Sequence, residues 1–336
     1  MKTREFLFDN YRAFLIVLVV LGHFIEPSYT ETAYLTNLKY FIFAFHMPAF
    51  IFISGYFAVK KSSPGKLVQK LLVPYLIFEV IYYFTYENII HKETELDLLY
   101  PKFSLWFLLA IFCYKLVIHY AVRIPYHLPL AVLGGLAIGF SGMASNFISI
   151  PRIVYFFPFF ILGYHFREKD ILGRVRRSRY AKGFTAAAML VIAAFIMYLA
   201  LDTVHLDVTP KIFYGRYNYD FLEQSPLTGI AVRIAAYFVG ALLTLAFLFV
   251  VPKCETPFSK LGRDTMSVYL FHGLVYNYLK DATELLDDVT TAGNFVLLFM
   301  GVLATVYLFS RKPFVEFTNR ISSLDPAPAL RRDTSA

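Results

Sequence analysis

The sequence predicts an all-α integral membrane protein, a polytopic bundle of about ten transmembrane helices. Two observations lead to this fold class. Of the 336 residues, 58% are hydrophobic and only 17% are charged, whereas an average soluble domain carries about 25% charged residues. The mean hydropathy is +0.56, and apolar segments close to the ~20 residues that a membrane-crossing helix needs recur along the chain.

Ten apolar segments are long enough, or nearly long enough, to cross a bilayer. They are residues 13–29, 40–58, 71–90, 104–121, 128–147, 152–166, 181–201, 230–251, 267–280 and 295–310. Segments 152–166 and 267–280 are short, and Pro48 and Pro158 interrupt two of the ten. The number of spans therefore needs a second test.

The distribution of basic residues supplies that test, because cytoplasmic loops are enriched in Lys and Arg. With the N-terminus inside, segments 1–12, 59–70, 122–128, 167–182, 252–266 and 311–336 hold 23 Lys and Arg. The opposite loops 27–39, 88–103, 202–229 and 280–294 hold six, against twelve Asp and Glu. This alternation predicts ten spans in the cell membrane with both termini cytoplasmic.

The domain organisation is simple. Residues 1–312 form the membrane domain, and residues 313–336 are predicted to be a short polar cytoplasmic tail without order, containing Pro326 and Pro328. The net charge of +8 resides in short loops, so its expected partner is the lipid bilayer and not nucleic acid. Nucleotide-hydrolysis, dinucleotide-binding, zinc-protease and serine-hydrolase motifs are absent from the sequence.

Charged and imidazole groups inside predicted spans are candidate site residues, because burying them in lipid is unfavourable. In the first span, Arg12 and His23 are eleven residues apart, which places them on one helix face about 16 Å apart along the axis. Asp9 lies one turn before Arg12 and is predicted to hold its guanidinium. Glu26 shares the face of His23, where it orients the imidazole or lies at the outer surface. Arg12 is alternatively a positive-inside anchor.

Three further polar side chains lie in predicted spans. His46 precedes Pro48 in the second span, and it either takes part in the site or caps the turn that the proline breaks. Glu79 in the third span needs a cation, a proton or water. His272 in the ninth span is either a site residue or a packing residue.

Two basic residues and the sole tryptophan complete the predicted site. Lys66 and Lys70 precede the third span, where they are candidates to bind phosphate or are ordinary cytoplasmic loop charges. Trp106 begins the fourth span, where it contacts substrate or belongs to an interfacial aromatic belt.

These residues resemble the acyltransferase family 3 membrane proteins, whose first helix carries an arginine and a histidine separated by ten residues. The similarity continues in order over about residues 6–312. The matching blocks are Phe45-His46-Met47-Pro48, Ser54-Gly55-Tyr56, Pro74-Tyr75, Leu105-Trp106-Phe107-Leu108, Phe157-Pro158-Phe159-Phe160, Gly163-Tyr164, Leu261-Gly262 and Tyr269-Leu270-Phe271-His272.

The resemblance, nearest to the fucose 4-O-acetylase-like subgroup, implies a membrane-bound O-acyltransferase. It implies transfer of an acetyl or other short acyl group from cytoplasmic acyl-CoA to a hydroxyl of a carbohydrate or cell-surface glycan. No metal or bound cofactor is expected, since acyl-CoA is a substrate. One departure is that Lys66 and Lys70 stand where the family is usually arginine-rich, and lysine lacks the bidentate fork of arginine.

The chemistry assigns roles to the residues of the first span. Acyl transfer from a thioester to a hydroxyl needs a base near neutrality, and histidine is the natural candidate. We therefore predict His23 as the general base, Arg12 with Asp9 beside the acyl donor, and Lys66 and Lys70 at its phosphates.

Two other functions compete with the enzyme. A transporter or flippase for a polysaccharide or lipid-linked sugar also needs polar residues inside a bundle of helices, although no paired interrupted helices occur in the two halves. A receptor or structural subunit has no need of Arg12 and His23 on one face.

The acceptor is expected on the side opposite the donor. The loop 202–229 contains the aromatic residues Tyr214, Tyr217, Tyr219 and Phe221, which either stack on sugar rings or form an interfacial belt. The acidic balance of the outer loops favours an uncharged sugar. In this arrangement the acyl group passes outward through the bundle past His23.

Overall fold

The computed structural model describes residues 5–142, 147–201 and 208–324, and every regular element in them is helical. The helices are α1 (Phe6–Phe24), α2 (Ala33–Tyr56), α3 (Pro64–Ile90), α4 (Trp106–Ala121), α5 (His127–Ala137), α6 (Ile150–Glu168), α7 (Ile171–Arg177), α8 (Ala181–Leu201), α9 (Pro226–Val250), α10 (Ser259–Arg263), α11 (Thr265–Asp281), α12 (Ala292–Phe309) and α13 (Lys312–Ile321). The all-α membrane fold class is thereby confirmed in its coarse form.

All ten predicted spans coincide with helices. Seven of the described helices, α1, α2, α3, α6, α8, α9 and α12, are long and apolar enough to cross a membrane. The remaining three predicted spans correspond to the shorter helices α4, α5 and α11. Length and composition therefore establish a membrane protein with seven candidate spans.

Three helices begin about seven residues before the predicted start of their spans, and the third of them, α3, begins at Pro64 instead of residue 71. Helix α1 begins at Phe6 instead of residue 13, and α2 begins at Ala33 instead of residue 40. The prediction used the apolar runs alone, and it excluded Asp9, Arg12 and Lys39. In the structure these charged side chains form salt bridges, so the helices extend through them.

Helices α2 and α6 pack closely because each presents a glycine to the other's backbone. A Cβ atom on Gly55 would lie 2.1 Å from the carbonyl oxygen of Phe160, and one on Gly163 would lie 1.9 Å from that of Phe52. Any side chain at either position would separate the helices. Small residues at such crossings are typical of membrane bundles, where close packing drives helix association.

Asn10 joins α1 to the segment that precedes α10. Its amide nitrogen donates to the carbonyl oxygens of Pro252 and Cys254, each at 2.9 Å. Its amide oxygen accepts hydrogen bonds from the hydroxyls of Thr256 and Ser259 at 2.7 and 2.6 Å. Because all of these bonds are made by one buried side chain, the first turns of α1 are held in a fixed position.

The peripheral helices differ from this core. In α8, Leu190 is 70% exposed, and in α12, Leu297 is 71% exposed. Large apolar side chains in contact with the surroundings are expected where a helix faces lipid. These two helices therefore form the outer wall of the bundle.

The first part of the predicted tail is ordered. Residues Lys312–Ile321 form α13, with Thr318 and Ile321 buried. The ring of Phe314 lies 5.1 Å from that of Phe271 in α11, which gives this helix an apolar face to pack on. The prediction of a tail without order is wrong for these residues, because polar composition concealed an amphipathic helix. Residues 325–336, and the chain termini of the topology prediction, lie outside the described residues.

Candidate active site

A cavity of about 670 Å³ lies inside the bundle. Its walls come from α1, α2, α4, α6 and α11 together with the segments before α4 and before α9. Arg12 near the start of α1 and Glu26 just after its end both line it. Fourteen residues separate them, which corresponds to about 21 Å of helix. The cavity therefore extends through much of the thickness of the bundle.

One face of α1 lines this cavity. Arg12, Ile16, Val19 and His23 all line it, at intervals of four, three and four residues. This spacing matches the helical repeat, so the four side chains form a stripe. Arg12 and His23 thus lie on one helix face, where their spacing places them, and in one cavity.

We call one end of the cavity the inner end; it is formed by Arg12, Ser54, Phe57, Lys115 and Thr265. Arg12 is held there by contacts with its own helix. Its guanidinium donates to the carboxylate of Asp9 at 2.9 Å, and its Nε donates to the carbonyl of Phe8 at 3.1 Å. The guanidinium carbon lies 5.7 Å from the ring centre of Phe57. The side chain is thereby oriented while it remains part of the cavity wall.

His23 faces the cavity with both ring nitrogens available. Its ring packs beside those of Phe103, His272 and Tyr276, with centroid distances of 4.6, 5.5 and 5.6 Å. Within the described residues, its imidazole makes no hydrogen bond. A histidine held by ring packing, with free nitrogens in a cavity, is suited to accept a proton from a bound hydroxyl group.

Two other histidines surround His23 and differ from it in bonding. In His46, Nδ1 lies 2.7 Å from the carbonyl of Ile42, and in His272 it lies 2.7 Å from that of Tyr269. A carbonyl accepts hydrogen bonds, so the proton of each neutral ring is assigned to Nδ1. His46 lines the cavity. His272 is fully buried behind His23.

Glu26 does not hydrogen-bond to His23. Its carboxylate forms a salt bridge with Lys39 at 2.5 Å and accepts a hydrogen bond from the hydroxyl of Tyr214 at 2.8 Å. The Lys39 ammonium also lies 3.4 Å from the ring centre of Tyr29. Glu26 is therefore neutralised by its neighbours, and the prediction that it orients His23 is wrong.

The sequence profile described as an acyltransferase domain, that of the acyltransferase 3 family, matches residues 7–311. The chain belongs to the acyltransferase 3 family. It is therefore an acyltransferase enzyme, and the resemblance on which the sequence prediction relied is confirmed at the level of the family.

Two known proteins are similar to this chain. The nodulation protein NolL of Mesorhizobium japonicum (strain LMG 29417 / CECT 9101 / MAFF 303099) is 26% identical over 369 residues, covering 99% of this chain and 94% of that protein. The nodulation protein NolL of Sinorhizobium fredii (strain NBRC 101917 / NGR234) is 29% identical over 187 residues, half of each chain. No solved structure matches the chain.

Several residues of this acyltransferase were not singled out from the sequence. Lys115 lines the inner end of the cavity, and Arg152, Arg216 and Lys280 line its other part. We call that part, with Glu26, Tyr214 and Tyr217, the outer end. Arg152 stands at the predicted start of the sixth span, where it was treated as a boundary residue. A charged residue in the apolar context Ile150-Pro151-Arg152-Ile153 was the available signal.

Trp106 lines the cavity and does not face lipid. It is 7% exposed, and its ring stacks on Phe156 with the centroids 5.6 Å apart. The guanidinium carbon of Arg152 lies 4.9 Å from its ring centre. The alternative that Trp106 belongs to an interfacial belt is therefore wrong, because its neighbours enclose it.

Besides Asp9 and His272, three predicted site residues do not line the cavity. Lys66 and Lys70 are exposed near the start of α3. Glu79 is fully buried, and its carboxylate accepts a hydrogen bond at 2.8 Å from the backbone of Lys102. Glu79 thus anchors the segment that carries Phe103 and Ser104 into the cavity. The structure does not bring Glu79 to the cavity wall, where its predicted place in the binding site would put it. Its second carboxylate oxygen, Oε2, is buried without a hydrogen-bond partner among the described residues.

The aromatic residues of the loop 202–229 separate into different environments, and residues 202–207 lie outside the described part of the chain. Tyr214 and Tyr217 line the cavity. Tyr219 is 2% exposed and donates to the carbonyl of Leu136 at 2.8 Å, so it cannot stack on a sugar. Phe221 stacks on Tyr217 with a centroid distance of 4.2 Å.

The charge of the outer end differs from the expected acidic character. Its three cations, Arg152, Arg216 and Lys280, line the same wall region as one carboxylate, Glu26, which Lys39 already neutralises. The acidic residues counted in the outer loops do not line the cavity where the structure describes them. Among the described residues, no group of three or more His, Cys, Asp and Glu side chains is arranged to hold a metal ion.

Proposed function

We propose that the protein is a membrane-bound O-acyltransferase that moves an acetyl or other short acyl group from acyl-CoA to a hydroxyl of a carbohydrate, with His23 as general base. The observation that supports this proposal most directly is the cavity itself. It joins Arg12 to His23, and the imidazole nitrogens of His23 are free of hydrogen bonds within the described residues.

The donor enters at the inner end in this proposal. Arg12 and Lys115 offer cations inside the cavity, and Lys70 lies close enough to Lys115 for the two charges to interact. The phosphates of coenzyme A remain outside the apolar bundle, where exposed Lys66 and Lys70 supply further positive charge. The pantetheine arm extends along α1 toward His23, over the ~16 Å that separates it from Arg12.

The chemical step uses His23 as a proton acceptor. A ring nitrogen of His23 takes the proton of the acceptor hydroxyl as its oxygen attacks the thioester carbonyl carbon. The new C–O bond forms, the C–S bond breaks, and coenzyme A leaves as a thiolate that receives the proton from His23. The products are the O-acyl ester and free coenzyme A, and no other reactant is needed.

The membrane arrangement completes the proposal. Helices α4, α5 and α11 cross the cell membrane along with the seven longer ones, and both termini face the cytoplasm. The charge difference between the two sets of loops supports this orientation. The acyl group, and not the sugar, then passes outward through the cavity. The names of the two relatives refer to nodulation and to no acceptor, so the acceptor is inferred from the cavity.

Mass spectrometry of surface glycans tests the activity. Cells lacking the protein should lose an alkali-labile ester, the wild-type gene should restore it, and His23→Ala should not. His119→Ala is the matched control, because His119 lies in α4 outside the cavity lining. An unchanged ester profile in the cells that lack the protein would refute the enzyme proposal.

Proteoliposomes test the sidedness. Glycan stripped of its esters by mild alkali is enclosed as acceptor, and radiolabelled acetyl-CoA is added outside. Ester formation on the enclosed glycan, absent with His23→Ala, supports transfer through the membrane. Ester formation only when both substrates share one side refutes the relay and keeps the enzyme. Movement of unmodified glycan without ester supports the transporter instead.

A further inference from the structure

The outer end of the cavity contains arginines for which the described part of the chain supplies no anion. Arg152 and Arg216 both line the cavity, and neither side chain forms a salt bridge or hydrogen bond with a described residue. The Nε of Arg216 is buried without a partner. Among the described residues that line the cavity, Glu26 is the one carboxylate, and it is engaged by Lys39 and Tyr214. Uncompensated charge at this depth is unfavourable unless a ligand or water compensates it.

Another buried arginine shows how the chain satisfies such a group when its role is structural. Arg233 in α9 is 3% exposed, and it donates to the carbonyl oxygens of Gly135 at 2.8 Å and Tyr217 at 2.5 Å. Its guanidinium thereby joins α9 to α5 and to the loop before α9. Arg152 and Arg216 make no comparable bonds to the described residues, and this part of the chain shows no such link between helices for them.

The two arginines line the same cavity as the proposed base. The positive charge of Arg216 acts on Arg152, and that of Arg152 acts on His23. The Arg152 guanidinium carbon lies 4.9 Å from the Trp106 ring centre, and that of Arg216 lies 5.4 Å from the Tyr217 ring centre. Contact with an aromatic ring restricts a guanidinium while leaving its N–H donors available for a planar anion.

We propose that Arg152 and Arg216 form a subsite for an acidic group of the acceptor, a carboxylate or a phosphate, so that the acceptor is an acidic carbohydrate. This inference rests on the proposed function, because it names the acceptor class of the same site. An anion between the two guanidiniums relieves their repulsion and makes charge-assisted hydrogen bonds with both. The bound acidic group then holds the acceptor in the part of the cavity that contains His23.

Ligand-observed NMR of the purified full-length protein in detergent micelles tests the proposal. The probes are glucose, glucuronate and glucose 1-phosphate, which share one sugar ring and differ in charge. Wild-type protein should bind at least one of the acids about tenfold more tightly than glucose, which corresponds to the ~1.4 kcal/mol of a charged hydrogen bond. Preference for glucuronate identifies a carboxylate, and preference for glucose 1-phosphate identifies a phosphate.

Substitutions assign the preference to these side chains. Arg152→Gln and Arg216→Gln should each reduce binding of the preferred acid toward that of glucose, and Arg152→Lys should retain part of the preference, because lysine keeps the charge but loses the fork. Lys211→Gln is the matched control. Lys211 belongs to the same loop as Arg216 and lies 5.9 Å from the Tyr217 ring centre, but it does not line the cavity.

Three results would overturn the subsite. The first is equal binding of glucose and both acids, including no detectable binding of either acid. The second is a loss of acid binding in Lys211→Gln equal to that in the arginine variants. The third is weaker coenzyme A binding in the arginine variants, which would assign these cations to the donor. Each result is separate from a failure of the proposed function. Charge-selective binding without any ester formation would refute the transferase and retain the subsite, whereas ester formation without charge selectivity would do the reverse.

Discussion

The two ends of the cavity contain similar cations in different states. At the inner end, Arg12 is paired with Asp9 one turn earlier in the same helix. At the outer end, Arg152 and Arg216 are supported by aromatic rings but have no anionic partner among the described residues. A cation paired within its own helix needs no ligand for the apo protein to be stable. An unpaired cation in a cavity indicates where a ligand's charge belongs.

His23 lies where the two ends meet, and its removal should have the largest effect. His23→Ala is expected to lower acyl transfer about a thousandfold, because it removes the base. The protein should remain folded, since the imidazole makes no hydrogen bond with the described residues. Radiolabelled acetyl transfer by purified protein measures the loss. His272→Ala should have a smaller effect, and an equal loss in both variants would contradict the assignment of the base to His23.

The ion pair between Lys39 and Glu26, beside the outer end, should contribute to the free energy of unfolding. Lys39→Met leaves the partly exposed carboxylate of Glu26 without its cation, which should cost about 1 to 2 kcal/mol in unfolding free energy. The double substitution Lys39→Met with Glu26→Gln should recover most of this loss, because no charge remains unpaired. Denaturant unfolding in detergent measures both variants. A neutral single substitution would show that Tyr214 alone satisfies Glu26.

The inner end should respond to geometry as well as to charge. Arg12→Lys keeps a cation but loses the paired contacts to Asp9 and Phe8, so catalytic efficiency with acyl-CoA should fall about tenfold. Arg123→Lys in the exposed segment between α4 and α5 is the matched control and should have no effect. Full activity of Arg12→Lys in a steady-state assay would assign Arg12 to membrane orientation alone.

Glu79 should show the smallest effect. Glu79→Gln keeps an oxygen that accepts the hydrogen bond from the Lys102 backbone, so activity should stay within about twofold of wild type. The steady-state acyl-transfer assay measures the activity of Glu79→Gln, and thermal unfolding checks that the variant is folded. A tenfold loss in a folded variant would show that the carboxylate acts on the substrate and is not only an anchor for the segment of Phe103.

Much of the site in α1 was predictable because it depends on local geometry. Arg12, Asp9 and His23 share one helix, and the helical repeat alone places them on one face. Residues from distant segments were harder to assign. Lys39 was counted as an outer-loop charge, although it is 1% exposed and pairs with Glu26. Arg152 was treated as the boundary of a span, and Glu79 was assigned to a site that it supports only through a loop.

The sequence by itself determined that this is a helical membrane protein of the acyltransferase 3 family, with an arginine and a histidine on one helix face. Hydropathy and residue spacing act over single helices, so they can be read without tertiary contacts. The tertiary structure decided which charges meet. It enclosed Trp106, paired Lys39 with Glu26, and brought Arg152 and Arg216 into the cavity of His23. These outcomes depend on packing between helices far apart in the chain, because the partner that satisfies a buried charge lies on another helix.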